Sequence, residues 1–297
     1  MFGTGLVVWI CILFCESAFH LASRFLTSKM VHCLQFRTST FLNSEEWRNK
    51  PWQNVEKDSQ YKLLEFGFEL GENIEKLDKG CLQKSSDSTQ AAINLMHDFL
   101  DLETRMFGWL KGFQAESPHL TSAEGIVEPF RFRNLRFTII MLTYWALKLV
   151  MSHLVALVGG ALLQHIPPQM VKQVLGEDIM GVMERHDKEP SLEHARNILR
   201  TTPYILDDEM GLMAAQQAMF PLRAALFVLK LLGGEELEWC KAVYAQFNAK
   251  KGLRYSVEVG KSDGNYSVDD YPGRRIIPEV QGKVLPSNSP TDDQMRR

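Results

Sequence analysis

The amino-acid sequence predicts an all-α protein, an irregular multi-helix bundle around one buried central helix. The first observation is a long apolar run, Leu135–Leu163, near the middle of the 297-residue chain. The second is a pair of amphipathic helical patterns that precede it, Tyr61–Leu77 and Asp87–Phe113. The third is that the sequence shows no strand-rich pattern and no internal repeat.

The central run is apolar on every side of a helix. Only Arg136, Lys148 and His153 interrupt it as potential charges, and they share no face at about 100° per residue. Such a helix is buried all round, either in a protein core or in a membrane. Lys148 divides the run into two parts, each shorter than the about 20 residues that a membrane span needs. We therefore expect a buried core helix over residues 135–163, with a transmembrane span as the alternative.

The N-terminal segment Phe2–Phe14 is also apolar. It lacks the basic flank of a secretory signal peptide, because the first Lys or Arg is Arg24. Apolar residues continue at helical spacing over Gly5–Leu26, so we expect a buried first helix. The alternative is a signal anchor. In that case residues 6–19 and 135–163 would both be spans, and the chain would be a small membrane protein.

The two amphipathic patterns are typical of soluble helices. In Tyr61–Leu77 the apolar residues fall within one narrow arc, and the glutamates point away from it. Asp87 and Gln90 read as a capping box at the start of the second pattern. Ahead of both, Trp47 and Trp52 are interpreted as caps over the edge of the core.

Prolines and glycines delimit the helices predicted for the second half. A proline pair at 167–168 ends the central helix, and Met170–Met183 is a weaker helical pattern. A helix over Leu192–Thr201 is predicted to end or bend at Pro203. Pro221 is predicted to start a strong apolar segment that the glycine pair 233–234 ends.

The last amphipathic helix is predicted over Glu235–Lys250, with Gly252 just beyond its end. From there the sequence is rich in Ser, Asp, Asn, Pro and Gly, a composition typical of disordered segments. The predicted domains are therefore a helical domain over residues 1–258 and a disordered tail over residues 259–297.

Composition excludes several classes of protein. The net charge is −3 and the pI about 6.3, so the chain as a whole is not marked as a nucleic-acid binder. The five cysteines are scattered and odd in number, at positions 11, 15, 33, 81 and 240. They form neither a disulfide framework nor a CxxC metal knuckle, which favours a reducing intracellular compartment.

Three patterns resemble functional motifs, and each is assigned a simpler interpretation. Gly260–Gly264 matches the G-x-S-x-G nucleophile elbow, but the strand–turn–helix context is missing, and we interpret it as a flexible polar turn. The segment Phe130–Phe137 interleaves arginines with aromatics, and helix-start packing with solvated arginines is expected. His153 lies within the apolar central run, where a satisfied core histidine is expected and not a metal ligand.

Two acidic clusters form a further pattern. One comprises His97, Asp98, Asp101 and Glu103, and the other is Asp207–Glu209. Paired acidic clusters on helices would suit magnesium at a diphosphate, as in an α-helical terpenoid-type enzyme. The second metal motif of such enzymes is absent, so we interpret both clusters as solvated faces. The residues thus predict no catalytic site, no cofactor site and no metal site.

Five stretches, in this order and spacing, resemble the carboxy-terminal regulatory region of fungal binuclear zinc cluster (Zn₂Cys₆) transcription factors. They are Thr40–Asn54, Phe130–Val150, Glu193–Gly211, Met219–Leu226 and Glu238–Tyr255. The resemblance covers roughly Leu6–Tyr255. It implies a helical, nuclear protein that regulates transcription, including that of secondary metabolism, through protein contacts and not catalysis. It also favours the buried position of the central helix.

The chain departs from this family at its DNA-binding module. Family members hold two zinc ions with six clustered cysteines, and no such cluster occurs in this sequence. The resemblance therefore implies either a regulator that lacks the DNA-binding module or a fragment of a gene for one. The expected partner is a protein, either a full-length zinc cluster factor or a second copy of this chain. No sequence-specific DNA binding by this chain is expected.

Overall fold

The structure, a computed structural model, describes residues 16–54, 56–81, 86–116, 130, 132, 134–253 and 256. Every regular element in these ranges is a helix, so the predicted all-α class is confirmed. The N-terminal apolar segment, the Gly260–Gly264 motif and the predicted tail over residues 259–297 lie outside the described residues.

Ten α-helices follow one another in the described part of the chain. They are α1 Glu16–Phe36, α2 Glu45–Asn49, α3 Ser59–Lys76, α4 Ser86–Glu116, α5 Leu135–His165, α6 Pro168–Leu175, α7 Ile179–Arg185, α8 Lys188–Leu206, α9 Gly211–Leu232 and α10 Leu237–Lys251. Short 3₁₀ helices occupy Phe41–Asn43, Lys50–Trp52 and Asp208–Met210, and a π-helical turn occupies Leu77–Cys81.

Helix α5 lies at the centre of the bundle, as predicted. It packs against α3, α4, α8 and α9, and every residue from Phe137 to Leu147 is buried. Asn134 caps its start, since the side-chain oxygen accepts a hydrogen bond from the Phe137 N–H at 2.8 Å. The helix ends at His165, just before the proline pair that was predicted to stop it.

The two amphipathic patterns are observed as α3 and α4, with ends within three residues of those predicted. The two helices are antiparallel. Lys76, the last residue of α3, pairs with Asp98 near the start of α4 at 3.0 Å. Phe66, earlier in α3, contacts Trp109 later in α4, with ring centroids 6.5 Å apart.

The segment between α1 and α3 returns along the side of α3. Arg48 pairs with Glu69 at 2.9 Å, and the rings of Trp52 and Tyr61 are centred 4.1 Å apart. Trp47 is partly buried against the core, which confirms its predicted position at the core edge. Trp52 contacts Tyr61, and Tyr61 packs against the core.

The weak helical pattern over Met170–Met183 forms two short helices, α6 and α7. Gly176 ends α6 with a φ of 72°, a left-handed conformation that glycine adopts without a steric penalty. The Asp178 side chain then accepts a hydrogen bond from the Met180 N–H at 3.1 Å and starts α7. The weakness of the helical pattern near Gly176 thus reflects a break between α6 and α7.

Pro203 and Pro221 lie inside α8 and α9, so Pro203 does not end its helix and Pro221 does not start one as predicted. Each proline removes one backbone hydrogen bond, at a cost of roughly 3 kcal/mol in a helix interior. Burial of apolar residues on both sides offsets this cost, since Pro221 and Leu222 are themselves buried. Helix α8 also starts four residues earlier than predicted, at Lys188.

The remaining helix ends follow the glycines. Gly233 ends α9 with a φ of 69°, and Gly252 ends α10 with a φ of 68°. Both positions were predicted as helix ends, and both are confirmed. The first helix extends further than predicted, to Phe36, and it includes part of the mixed stretch that sequence patterns did not assign.

Two helical stretches in the described residues are long and apolar enough to cross a membrane, judged by length and composition alone. They are Leu135–His165 and Asp208–Leu232. Of their most apolar windows, 56% and 50% are buried inside the bundle. A core helix of a soluble protein passes the same test.

Gly67 sets the distance between α1 and α3. A β-carbon at this position would overlap the buried side chain of Met30 and lie 3.4 Å from a methyl group of Leu147. We expect Gly67→Ala to lower the free energy of unfolding by about 1–3 kcal/mol, because the packed core must shift to admit a methyl group. Urea denaturation of the purified chain measures the change.

The control is Gly108→Ala on the exposed side of α4, where a β-carbon meets nothing within 4 Å. Here alanine should raise the free energy of unfolding by about 0.5–1 kcal/mol through its higher helix propensity. A Gly67→Ala variant as stable as Gly108→Ala would contradict the close packing of α1 on α3.

Candidate functional site

The most concentrated set of buried polar side chains lies where α4, α5 and the α7–α8 junction meet. Lys148 and Ser152 are four residues apart on α5, so they share one face of that helix. Glu103 reaches them from α4, and His186 reaches them from the residue that ends α7. We call these four residues the polar cluster.

Each member of the polar cluster contacts the next. Lys148 Nζ lies 2.6 Å from Glu103 Oε1, and His186 Nε2 lies 3.2 Å from Glu103 Oε2. Ser152 Oγ lies 3.0 Å from His186 Nδ1. Side-chain exposure is 13% for Lys148, 18% for Glu103 and 1% for His186, so the cluster is largely shielded from solvent.

His186 links Glu103 and Ser152 through its two ring nitrogens. Its Nε2–H donates to the Glu103 carboxylate, and its Nδ1 shares a hydrogen bond with the Ser152 hydroxyl, whose direction is set by the protonation of the ring. Burial by itself would raise the pKa of Glu103. The hydrogen bond from His186 and the charge of Lys148 outweigh burial and lower this pKa to about 2. Glu103 is therefore ionised at neutral pH and neutralises Lys148.

His194 of α8 lies near the polar cluster without joining its hydrogen bonds. Its Nδ1 atom is buried and has no hydrogen-bond partner among the described residues. Burial lowers the pKa of His194 to about 4, and the charge of Lys148 acts in the same direction. His194 is thus a neutral side chain at physiological pH.

The order Ser152–His186–Glu103 resembles a hydrolase triad, but the geometry does not suit nucleophilic attack. In such triads the serine bonds Nε2 and the carboxylate bonds Nδ1, whereas the two nitrogens are exchanged here. Ser152 is 4% exposed and lies inside a continuous helix, where backbone N–H groups already serve helical hydrogen bonds. The cluster is suited to fixing three elements together.

Glu103 is the residue for which the sequence interpretation is wrong. It was assigned with His97, Asp98 and Asp101 to a solvated face, but it points inward to Lys148. The other three keep the predicted position: His97 is exposed, and Asp98 and Asp101 pair with Lys76 and Arg105 near the surface. The available signal was Lys148 itself, since a lysine inside an apolar helix needs a counter-charge.

The second acidic cluster lies at the α8–α9 turn and is exposed, as predicted. The Asp207 carbonyl oxygen accepts a hydrogen bond from Lys251 Nζ at 2.6 Å, and the Asp208 carboxylate lies 3.8 Å from the same nitrogen. The two acidic clusters thus have different partners on different helices. No group of three or more His, Cys, Asp or Glu side chains in the described residues is placed to hold a metal ion.

The aromatic start of α5 packs as predicted. The ring of Phe130 is centred 5.8 Å from that of Trp145, and the ring of Phe132 lies 5.6 Å from that of Tyr204. Arg136 remains half-exposed and pairs with Asp58 at 2.9 Å. Arg131 and Arg133, the other two arginines of the stretch, lie outside the described residues.

Two cysteine side chains are described, Cys33 on α1 and Cys240 on α10. Both are buried and neither forms a disulfide. Burial raises the pKa of Cys240 to about 12 and also raises that of Cys33. Because the thiolate is the reactive and metal-binding form, both side chains behave as small apolar groups at neutral pH.

An apolar surface lies on α5 and α9 where the two helices run side by side. Phe227 and Leu231 of α9 are 48% and 57% exposed, and Val150, Leu157 and Ala161 of α5 are half-buried beside them. We call this surface, with His153 and Ala224, the α5–α9 face. His153 is half-buried and not a core residue, and its ring packs edge-on against Phe227 at 5.2 Å.

A comparison of the chain with family models, curated protein sequences and solved structures gave no match. Function must therefore be argued from the residues and their arrangement.

The polar cluster predicts a pH dependence of stability. Because the pKa of Glu103 falls from its ordinary value of 4.5 to about 2 in the folded chain, ionised Glu103 stabilises the fold at neutral pH. This contribution is lost as pH falls from about 4.5 to about 2. We expect Glu103→Gln to cost roughly 3 kcal/mol at pH 7, since Lys148 is left without a counter-charge, and to flatten the profile in that window.

Urea denaturation at a series of pH values measures both effects. The matched control is Asp101→Asn on the same helix, whose carboxylate is 67% exposed and pairs with Arg105. This substitution should change the free energy of unfolding by less than about 1 kcal/mol. Equal losses in the two variants would show that the polar cluster does not stabilise the fold.

Proposed function

We propose that this chain is a non-enzymatic protein of the transcription-regulator type, which acts in the nucleus by binding another protein. The observation that carries the proposal is that the stretches resembling the zinc cluster regulatory region pack on one another. Phe130 of the second stretch donates its N–H to the Arg200 carbonyl of the third at 3.1 Å. Lys251 of the fifth stretch bonds the Asp207 carbonyl of the third at 2.6 Å.

The fourth stretch joins the same unit. Met219–Leu226 lies within α9, which packs against both α5 and α8. The third and fourth stretches therefore lie in helices that pack on the central helix, and the second stretch includes the first half of that helix. This arrangement supports a shared architecture with the regulatory region, and from that likeness we infer nuclear regulation, with secondary metabolism as the pathway class.

The geometry of the described polar groups supports the proposal that the chain acts by binding and not by catalysis. The polar cluster is shielded and fully bonded, and its serine lacks the orientation of a nucleophile. The exposed acids form pairs with Lys76, Arg105 and Lys251 on separate parts of the bundle. The α5–α9 face, in contrast, presents aliphatic and aromatic side chains of the kind found at the centre of protein interfaces.

A small membrane protein is the second candidate, and the length and hydropathy of α5 and α9 favour it. Against it stands the charge on the helices around α5. Glu72, Lys76, Asp98, Asp101 and Arg105 lie on the outer sides of α3 and α4, where they would face lipid if α5 crossed a membrane inside this bundle. Charged side chains in the hydrocarbon region cost several kcal/mol each.

Co-purification from a fungal nuclear extract tests the proposal. We expect the tagged full-length chain to be nuclear and to recover a transcription factor or co-regulator in a defined ratio. Extraction with carbonate at high pH should release it to the supernatant. A chain that stays in the membrane pellet would support the second candidate, and a nuclear chain recovered without any regulator would contradict the first.

A separate expectation concerns zinc and DNA. Cys33 and Cys240 are buried on different helices, and the net charge is −3, so neither a two-zinc cluster nor a strong electrostatic attraction to DNA is expected. We predict less than about one zinc ion per chain and DNA binding at the non-specific level, a Kd of roughly 10⁻⁴–10⁻⁶ M at physiological salt.

Metal analysis and a gel-shift titration with scrambled competitor measure these two quantities. Stoichiometric zinc, or nanomolar binding to one sequence over the competitor, would mean that this chain contacts DNA itself.

A further inference from the structure

The segment that joins α5 to α8 is attached to the bundle by few side chains. It comprises residues 167–187, with α6 and α7, and we call it the α6–α7 segment. Most of its side chains are exposed. Its buried residues follow one another at steps of three or four: Val171, Leu175, Ile179, Val182 and His186. An element with so few buried contacts opens locally more readily than the long helices around it.

The α6–α7 segment covers apolar surface of the two helices beneath it. Helix α6 packs against α4 and α5, and α7 packs against α5. Near the end of α7, the side chain of Met183 packs against Gly159 of α5, and a β-carbon at Gly159 would also lie 3.5 Å from Met96 of α4. Gly159 and Met96 are both buried. Opening of the segment therefore exposes apolar groups of α4 and α5 to water.

His186 provides the polar attachment of this segment. Its two ring nitrogens bond Glu103 of α4 and Ser152 of α5. Its backbone carbonyl oxygen lies 3.5 Å from Ser191 Oγ of α8. His194 follows Ser191 by three residues, so the two side chains lie on the same side of α8. The side of α8 that carries His194 thus meets the end of the α6–α7 segment.

A protonated His194 lacks a hydrogen-bond acceptor in the closed fold. Its Nδ1 atom is buried and has no partner among the described residues. Protonation makes both ring nitrogens donors, so a buried N–H would be left without an acceptor. Burial opposes the added charge as well, and the charges of Lys148 and His186 act in the same direction. Both effects destabilise the closed fold once His194 is protonated.

Glu103 is the carboxylate whose charge acts on His194, and both of its oxygens are already occupied. Oε1 lies 2.6 Å from Lys148 Nζ, and Oε2 lies 3.2 Å from His186 Nε2. A proton on His194 therefore adds a positive charge to a cluster whose carboxylate already neutralises Lys148.

The other elements packed against α8 supply no further counter-charge. Helices α5 and α9 contain no Asp or Glu residue, and the charged residues of α9, Arg223 and Lys230, are basic. The acidic residues of the 3₁₀ helix and the start of α10 are Asp208, Glu209, Glu236 and Glu238. Glu209 is exposed, and the other three each pair with a different cation.

We propose that the α6–α7 segment is an acid-released lid, opened when a proton binds His194. This inference is independent of the proposed function. When the segment leaves α4 and α5, His186 moves with it, and water reaches Glu103 and His194. Helices α5 and α8 stay packed because each of them buries many more apolar side chains than α6 or α7 does.

The direction of the pH effect follows from where the proton binds more tightly. The pKa of His194 is about 4 in the closed fold, below its ordinary value of 6.5. The open form therefore binds the proton first, and opening becomes more favourable as pH falls from about 6.5 to about 4. One such proton raises the opening equilibrium constant about 20-fold between pH 7 and pH 5. Glu103, with a pKa of about 2, remains ionised at pH 5, so its own titration does not contribute there.

Hydrogen–deuterium exchange of the purified full-length chain, read by mass spectrometry, tests the inference. Exchange at pH 7 and pH 5 is compared for residues 167–187 and for α3, after correction for the slower chemical exchange at the lower pH. We expect the opening constant of the α6–α7 segment to rise about 20-fold, and that of α3 to change less than about threefold.

A substitution identifies the group that binds the proton. His194→Gln keeps a polar side chain that does not titrate, so the rise in the α6–α7 segment should fall below about threefold. The matched control is His165→Gln, since His165 is the exposed last residue of α5. This control should keep the full rise. Near-UV circular dichroism at pH 7 verifies that each variant is folded, and the comparison of regions in the unchanged chain stands without any variant.

Three outcomes would overturn the inference. The first is an opening constant of the α6–α7 segment that changes less than about threefold in the unchanged chain. The second is an equal rise in α3, which would mean that acid unfolds the bundle as a whole. The third is a full rise in a folded His194→Gln variant, which would assign the proton to another group such as His186.

Discussion

The burial of one apolar helix on nearly all sides is the constraint on which this structure depends. Helix α5 has no polar face to turn toward water, so neighbours must enclose it, and α3, α4, α8 and α9 do so. Each of the 31 residues adds about 1.5 Å, so these neighbours need lengths of several turns. The long helices α4, α8 and α9 have such lengths. Two of them, α8 and α9, contain a proline, and the burial of apolar side chains in these helices outweighs the backbone hydrogen bond that each proline removes.

Lys148 shows how a charge is accommodated within such a helix. An unpaired ammonium group inside the bundle would destabilise the fold. Glu103 of α4 prevents this, because its Oε1 atom lies 2.6 Å from Lys148 Nζ. The second oxygen of the carboxylate accepts a hydrogen bond from His186 Nε2, and His186 Nδ1 is hydrogen-bonded to the Ser152 hydroxyl. Neutralising one lysine thereby links α4, α5 and the α7–α8 junction, and the pairing fixes how α4 is rotated against α5. The Lys148–Glu103 pair therefore both stabilises the fold and fixes the orientation of α4 relative to α5.

Local sequence patterns predicted most of the helices, whereas the polar cluster is formed by residues that are far apart in the sequence. Apolar periodicity located α3, α4 and α5 within a few residues, and glycines marked the ends of α9 and α10. Pro221 was wrongly predicted to start a helix, because the effect of a proline is local and the burial that overrides it is tertiary. Glu103 was misplaced for a related reason: its partners Lys148 and His186 are 45 and 83 residues away. Helical spacing showed that Asp101 faces water, but no spacing within α4 identifies a counter-charge on α5.

The same constraint explains where the bundle offers a surface. A helix that is apolar all round exposes apolar atoms wherever its enclosure is incomplete, and Leu157 and Ala161 of α5 are only half-buried. The apolar residues of α9 that continue outward, Phe227 and Leu231, widen this opening instead of closing it. Neither α5 nor α9 contains an Asp or Glu residue, so these two helices add no carboxylate to this apolar surface.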